Sequence, residues 1–151
     1  MEAMPASSKA KEAAAATAWR RIFDYIVATA ADRVAVLDRL GITPAESRAL
    51  TSLDPDAGRS MRALADEWRC DPSNATWLVD RLERQGLARR VAREGDRRVK
   101  AVVLTAKGRR MRGELLKSLY TPPGDLLGLA LGDLEALSAA ASKLPSRRPP
   151  A

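Results

Sequence analysis

A chain of 151 residues and 16.4 kDa suits one domain with a real core, hiding roughly 70% of its unfolded surface. Hydrophobic residues make up 46% and aromatics only 4%, and the apolar content is mostly Ala, Leu and Val, which favours a mainly α fold. With no histidine and a single cysteine, Cys70, an intramolecular disulfide is excluded and a metal site would need carboxylates almost alone.

The N-terminal residues 1–8, with Pro5, Ser7 and Ser8, read as a loose tail, as do residues 146–151 (SRRPPA). From Lys9 to Leu40 the pattern predicts one long helix. Trp19, Ile22, Phe23, Ile26, Val27, Ala30, Val34 and Leu37 recur at three- and four-residue spacing, and Gly41 stops the run. So apolar a face needs a partner surface. The next helix opens on Thr43-Pro44-Ala45-Glu46, a Thr N-cap with Pro at the first position and Glu at the capping-box position, and runs to about Leu53. A third runs from Ser60 to about Cys70, with Met61, Leu64, Ala65 and Trp68 on one face.

A fourth helix follows after a very short connection, with Asp71 as N-cap, Pro72 as first residue and Gly86 just past its end. Two short helices joined by a tight turn make a helix-turn-helix, whose second helix is the one offered to a major groove. The period then changes to alternation over Leu87–Val91 and Val99–Leu104, a β-hairpin with its tip near Gly95-Asp96. A hairpin in that place is a wing. Thr105 caps a further helix bearing Met111, Leu115, Leu116 and Leu119. Pro122-Pro123-Gly124 breaks it before a last helix bearing Leu131, Leu134, Leu137 and Leu144.

The formal net charge of +7 is concentrated: Arg59 to Arg112 holds 15 basic and 7 acidic residues, leaving −1 for the rest of the chain. A basic block inside a folded region is what a phosphate-binding surface needs. On a helical projection of the fourth helix, Ala75, Leu78, Val79 and Leu82 share one side. Ser73, Trp77, Asp80 and Arg84 share the other, with Thr76 and Arg81 flanking it. Short polar side chains early in such a helix (Ser73, Asn74, Thr76) suit base edges and phosphates, and arginines further along (Arg81, Arg84) suit the backbone. Trp77, opposite the core stripe, either meets DNA or packs on a neighbouring protein element.

The run from Asp96 to Gly108 satisfies D-x-R-x-x-x-V-x-L-T-x-x-G. With Leu64-Ala65, Asp71, Ser73, Thr76, Leu78 to Glu83 and Gly86-Leu87 upstream, the chain resembles the MarR family of bacterial regulators over about residues 15 to 145. The resemblance implies a winged helix-turn-helix (about 43–105) within a single domain (9–145), and dimerisation helices at about 9–40 and 105–144. It further implies a homodimer on double-stranded DNA at a palindromic operator, and a repressor released by a small aromatic or anionic effector. It places Arg98 in the minor groove, oriented by Asp96, with Arg97 and Lys100 on phosphates. Trp77 departs from the arginine or other polar residue that many relatives carry.

Cys70, at the helix-turn-helix junction, reads as a buried and inert thiol. No histidine, glycine-rich phosphate loop, nucleophile elbow or apolar carboxylate pair supports an enzyme, and neither catalytic residues nor cofactors are expected. With no signal peptide and no apolar run of ~20 residues, the expected location is the cytoplasm, without membrane contact. The alternative is a winged-helix protein interaction or dimerisation module with no DNA role, which has no reason to gather charge at the wing.

Overall fold

The first sequence expectation to change is the long N-terminal helix. In a computed structural model, which describes residues 6–93 and 96–145, it is two helices, α1 (Ala6–Ala28) and α2 (Ala30–Leu40). The break falls at Thr29, a β-branched residue whose hydroxyl donates back to the Tyr25 carbonyl (2.8 Å), a bond that bends helices. Arg33 then donates to the Thr29 hydroxyl (2.9 Å) and to the Ile26 carbonyl, satisfying the exposed end of α1. Ala6–Ser8, expected in the tail, are already helical.

Helix α3 (Pro44–Ser52) starts as the sequence dictates: the Thr43 side chain accepts from the Glu46 backbone N–H, and Glu46 accepts from the Thr43 N–H. After it comes a two-residue strand, β1 (Arg59–Ser60), which the sequence reading lacked. Ser60 also caps α4 (Met61–Trp68) by accepting from the Ala63 N–H. Helix α5 (Pro72–Arg84) follows three residues later. Asp71 occupies its N-cap position with extended backbone, but its carboxylate makes no capping bond. The reversal after α5 uses Gly86 at φ +70°, a left-handed conformation that only glycine adopts without strain.

The strands β2 (Ala88–Arg93) and β3 (Asp96–Leu104) form the predicted hairpin. Its tip at residues 94–95 lies outside the described residues. The sheet order is β1-β3-β2, all antiparallel, pairing Ala88 with Leu104 and Arg59 with Val102. β1 escaped the sequence reading because two residues have no periodicity, and only their pairing with β3 makes them a strand. Thr105 caps α6 (Ala106–Tyr120) as expected. A one-turn helix α7 (Gly124–Leu127) precedes α8 (Leu131–Ala141), which stops before Leu144.

The chain separates into two compact units, Met1–Ala35 and Val36–Ala151. In the first, Trp19 (61%), Ile22, Phe23 (51%), Ile26 and Val27 are exposed, and the Trp19 and Phe23 rings lie 6.1 Å apart. The second holds one core: Leu50 and Leu53 of the α3 region, Leu64 and Trp68 from α4, Leu78, Val79 and Leu82 from α5, Val102 and Leu104 from β3, and Leu115 from α6. The Trp68 indole N–H donates to the Ser52 hydroxyl (2.8 Å), tying α4 to α3. This core fixes the orientation of α5.

Candidate nucleic-acid interface

The buried stripe of α5 is the one its periodicity dictates: Ala75, Leu78, Val79 and Leu82 are buried, and Ser73, Asn74, Thr76, Trp77 and Arg84 are exposed. Thr76 donates its hydroxyl to the Pro72 carbonyl (2.8 Å) and keeps its lone pairs for an outside donor. Trp77 is 54% exposed, and among the described residues its recorded ring contact is the Arg81 guanidinium, 5.2 Å from the ring centroid. A half-exposed indole on the outer face of the second helix of a helix-turn-helix stands where a groove-reading side chain would stand.

Arg81 itself is held inward. Its Nε donates to Glu46 Oε1 (2.6 Å), and the Glu46 side chain is only 1% exposed. Gln85 Nε2 donates to the same oxygen (3.1 Å), and the Thr43 N–H to the other (2.7 Å). Burial opposes the charge on Glu46. The Thr43 backbone bond, the Arg81 hydrogen bond, the Thr43 hydroxyl and the Arg81 charge outweigh it, holding the carboxyl below its ordinary value. The capping box seen in the sequence is therefore also the anchor that ties α5 to α3. Sequence reasoning missed that second role because the partners are 35 residues apart.

The hairpin is clamped to the same helix. Arg90 on β2 pairs with Asp80 (2.7 Å) and Glu83 of α5, and its backbone N–H donates to Glu83 (2.7 Å). Arg59 pairs with Glu67 (2.6 Å). Among the described residues, Arg59, Arg81 and Arg90 of the basic block are thus engaged in internal ion pairs. Exposed cations remaining around the helix and hairpin include Arg62, Arg84, Arg89 and Lys100. Arg84 also donates to the carbonyl of Asp80 one turn back (3.3 Å). The backbone of Asp96, Arg97 and Arg98 begins β3, but their side chains lie outside the described residues.

At the far end of the hairpin the L-T-x-x-G part of the motif has a physical reason. The Thr105 hydroxyl donates to the Gly86 carbonyl (2.6 Å) and accepts from the Gly108 N–H (2.9 Å), and the Thr105 N–H donates to the Leu87 carbonyl (3.1 Å). Gly108 sits so close to that strand entrance that a β-carbon on it would lie 1.8 Å from the Leu87 carbonyl oxygen. Lys107 adds a bond to the Gln85 carbonyl (2.7 Å). Helix α6, the hairpin and the end of α5 are joined at this one junction.

Cys70 is half-buried rather than buried. It packs at the edge of the core and opens onto a shallow cleft with Met61, Ala65, Asp66 and Thr76, because the turn after Arg69 (φ 50°) lifts it out of the interior. Among the described residues, no cluster of His, Cys, Asp or Glu is arranged to hold a metal ion, and no helix is long and apolar enough to cross a membrane.

Residues 40–99 match the sequence profile of the MarR family. The HTH-type transcriptional repressor MdtR of Bacillus subtilis is 33% identical over 72 residues, 48% of this chain, and the match spans only about half (46%) of that protein's length. In three dimensions a MarR family protein from Bacillus stearothermophilus superposes with a TM-score of 0.71 at 25% identity, over 93% of this chain and 95% of its own. YusO from B. subtilis gives 0.69 at 23%, over 93% and 96%. A mutant of S. aureus MepR bound to an oligodeoxyribonucleotide gives 0.64 at 22%, over 84% and 93%.

Proposed function

Because the chain carries a MarR-family winged helix-turn-helix, we propose that it is a sequence-specific transcriptional regulator that binds double-stranded DNA as a homodimer and carries no catalytic site. The supporting observation is the outer face of α5, where Ser73, Asn74, Thr76, Trp77 and Arg84 stand exposed on a helix fixed from behind by a buried core. Arg89 and Lys100 are exposed on the adjoining hairpin. The helix supplies groups for base edges, and the hairpin, with Arg97 and Arg98 toward its tip, supplies cations for phosphates and the minor groove.

Dimerisation is supported by the exposed apolar side chains of α1 (Trp19, Phe23, Val27) and, separately, of the C-terminal segment (Leu127, Leu131, Leu137, Leu144). Two symmetry-related recognition helices then enter successive major grooves, with half-site centres about 10 base pairs apart. Repression follows from occlusion of the promoter, in the cytoplasm. A cavity of about 410 Å³ between α3, α4 and α6, lined by Arg48, Thr51, Trp68, Leu116, Leu119 and Tyr120, suits a small aromatic or anionic effector that releases the protein from its operator.

The test is a titration of purified protein against labelled genomic fragments at several salt concentrations. Log K should fall against log salt with a slope of about −0.9 per phosphate neutralised, steepened by the second subunit. Affinity for one palindrome should stay well above that for random duplex. No binding at low salt to any fragment would falsify the regulator and favour a protein interaction module. Steep salt dependence without sequence preference would identify a general DNA-coating protein.

A further inference from the structure

We infer that Trp77 is the specificity-determining side chain of α5, selecting thymine through its C5-methyl group, and that Glu46 acts behind it as a positioning residue through Arg81. The inference rests on the DNA-binding reading above and goes beyond it to the chemistry of one base contact. Indole offers a broad apolar face and one N–H donor but no acceptor. In the major groove the only apolar feature on any base edge is the thymine methyl. Trp77 is the large apolar side chain exposed on the outer face of α5.

An exposed indole on a free rotamer would be a poor reader, because fixing it on binding costs entropy. Here it is fixed beforehand. Arg81 lies one helical turn further on, with its guanidinium 5.2 Å from the ring centroid, within cation–π range. Arg81 is in turn held by a carboxylate that has no freedom: Glu46 is buried, accepts from the Thr43 N–H at 2.7 Å and from Gln85 at 3.1 Å, and meets Arg81 Nε at 2.6 Å. A chain of contacts thus runs from the start of α3 to the indole on α5. Because Arg81 and Glu46 neutralise one another, this arginine serves to orient the indole and not to hold phosphate.

The experiment starts from duplexes enriched from a random library by the full-length protein. In the enriched sequence each thymine is replaced in turn by deoxyuridine, which differs only by the missing methyl. For the wild type, one symmetry-related thymine should be sensitive, losing affinity about fourfold per half-site and about fifteenfold when both are replaced, as removing one buried methyl implies. Trp77→Ala should bind both duplexes equally.

The positioning role is read from the charge-neutral double variant Glu46→Gln with Arg81→Met, which keeps the acceptor for Thr43 and the length of the arm without stranding a buried charge. It should fold, keep the wild-type salt slope, and discriminate thymine from deoxyuridine less than twofold per half-site. A double variant with full discrimination overturns the role of Glu46 and Arg81. Enrichment of a sequence with no methyl-sensitive position, or one whose sensitivity survives Trp77→Ala, overturns the assignment of Trp77 while leaving DNA binding intact. Failure to enrich any sequence overturns the DNA-binding reading and this inference together.

Discussion

Replacing Gly108 by alanine tests the junction that holds the hairpin, α6 and the end of α5 together. The added β-carbon would lie 1.8 Å from the Leu87 carbonyl oxygen, whereas an ordinary carbon–oxygen approach is about 3.3 Å, so helix and strand must part by roughly 1.5 Å. That oxygen accepts the Thr105 N–H at 3.1 Å, and losing the bond with a buried partner costs about 1–3 kcal/mol. Crowding of a packed site adds about 1–3 kcal/mol, and the better helix propensity of alanine returns about 1 kcal/mol. The net is a destabilisation of about 3 kcal/mol, or roughly 6–12 °C in Tm for a chain of this size. The control is Gly113→Ala in the same helix, where nothing lies within 4 Å of the new β-carbon and a gain of about 0.5–1 kcal/mol is expected. Urea and thermal unfolding at one fixed protein concentration measure both. If Gly108→Ala were as stable as wild type, the close approach of α6 to Leu87 would not exist in solution.

Sedimentation at micromolar concentration should show a dimer, given the exposed Trp19, Phe23 and Leu131; a well-folded monomer would contradict the proposed assembly. Arg98→Ala should weaken operator binding while leaving the circular dichroism spectrum unchanged, with the larger loss where the minor groove is narrow and A·T-rich; unchanged affinity would remove Arg98 from the interface. Since the Glu46 carboxyl is held below its ordinary value of 4.5, its ion pair contributes fully above that pH and is lost as pH falls through the depressed folded value. Glu46→Gln should therefore lower stability at pH 7 and flatten the loss of stability below pH 4.5; parallel curves for the two proteins would show that the pair is not formed. Cys70→Ser should leave DNA affinity and peroxide response nearly unchanged, and operator release on oxidation confined to the wild type would make Cys70 a sensor.

What the sequence determined by itself is what neighbouring residues decide among themselves. Thr43 with Glu46, Ser60 and Thr105 each start a helix through bonds made within three residues, and the spacing of Ala75, Leu78, Val79 and Leu82 alone tells which side of α5 is buried. The outward placement of Ser73, Asn74, Thr76 and Trp77 was legible for the same reason. Contacts made across the fold were not. Arg59 and Ser60 become a strand only beside Val102 and Ala101, more than forty residues further along the chain. Arg81 projects to the flank of the exposed face, yet a buried carboxylate on another helix draws it inward. The glycine of the T-x-x-G motif was visible as a letter in the chain, but the carbonyl that forbids any side chain there belongs to a residue 21 positions earlier, placed against it only by the folding of the hairpin onto α6. Local bonds are written in adjacent residues, whereas long-range ones depend on the core that brings their partners together.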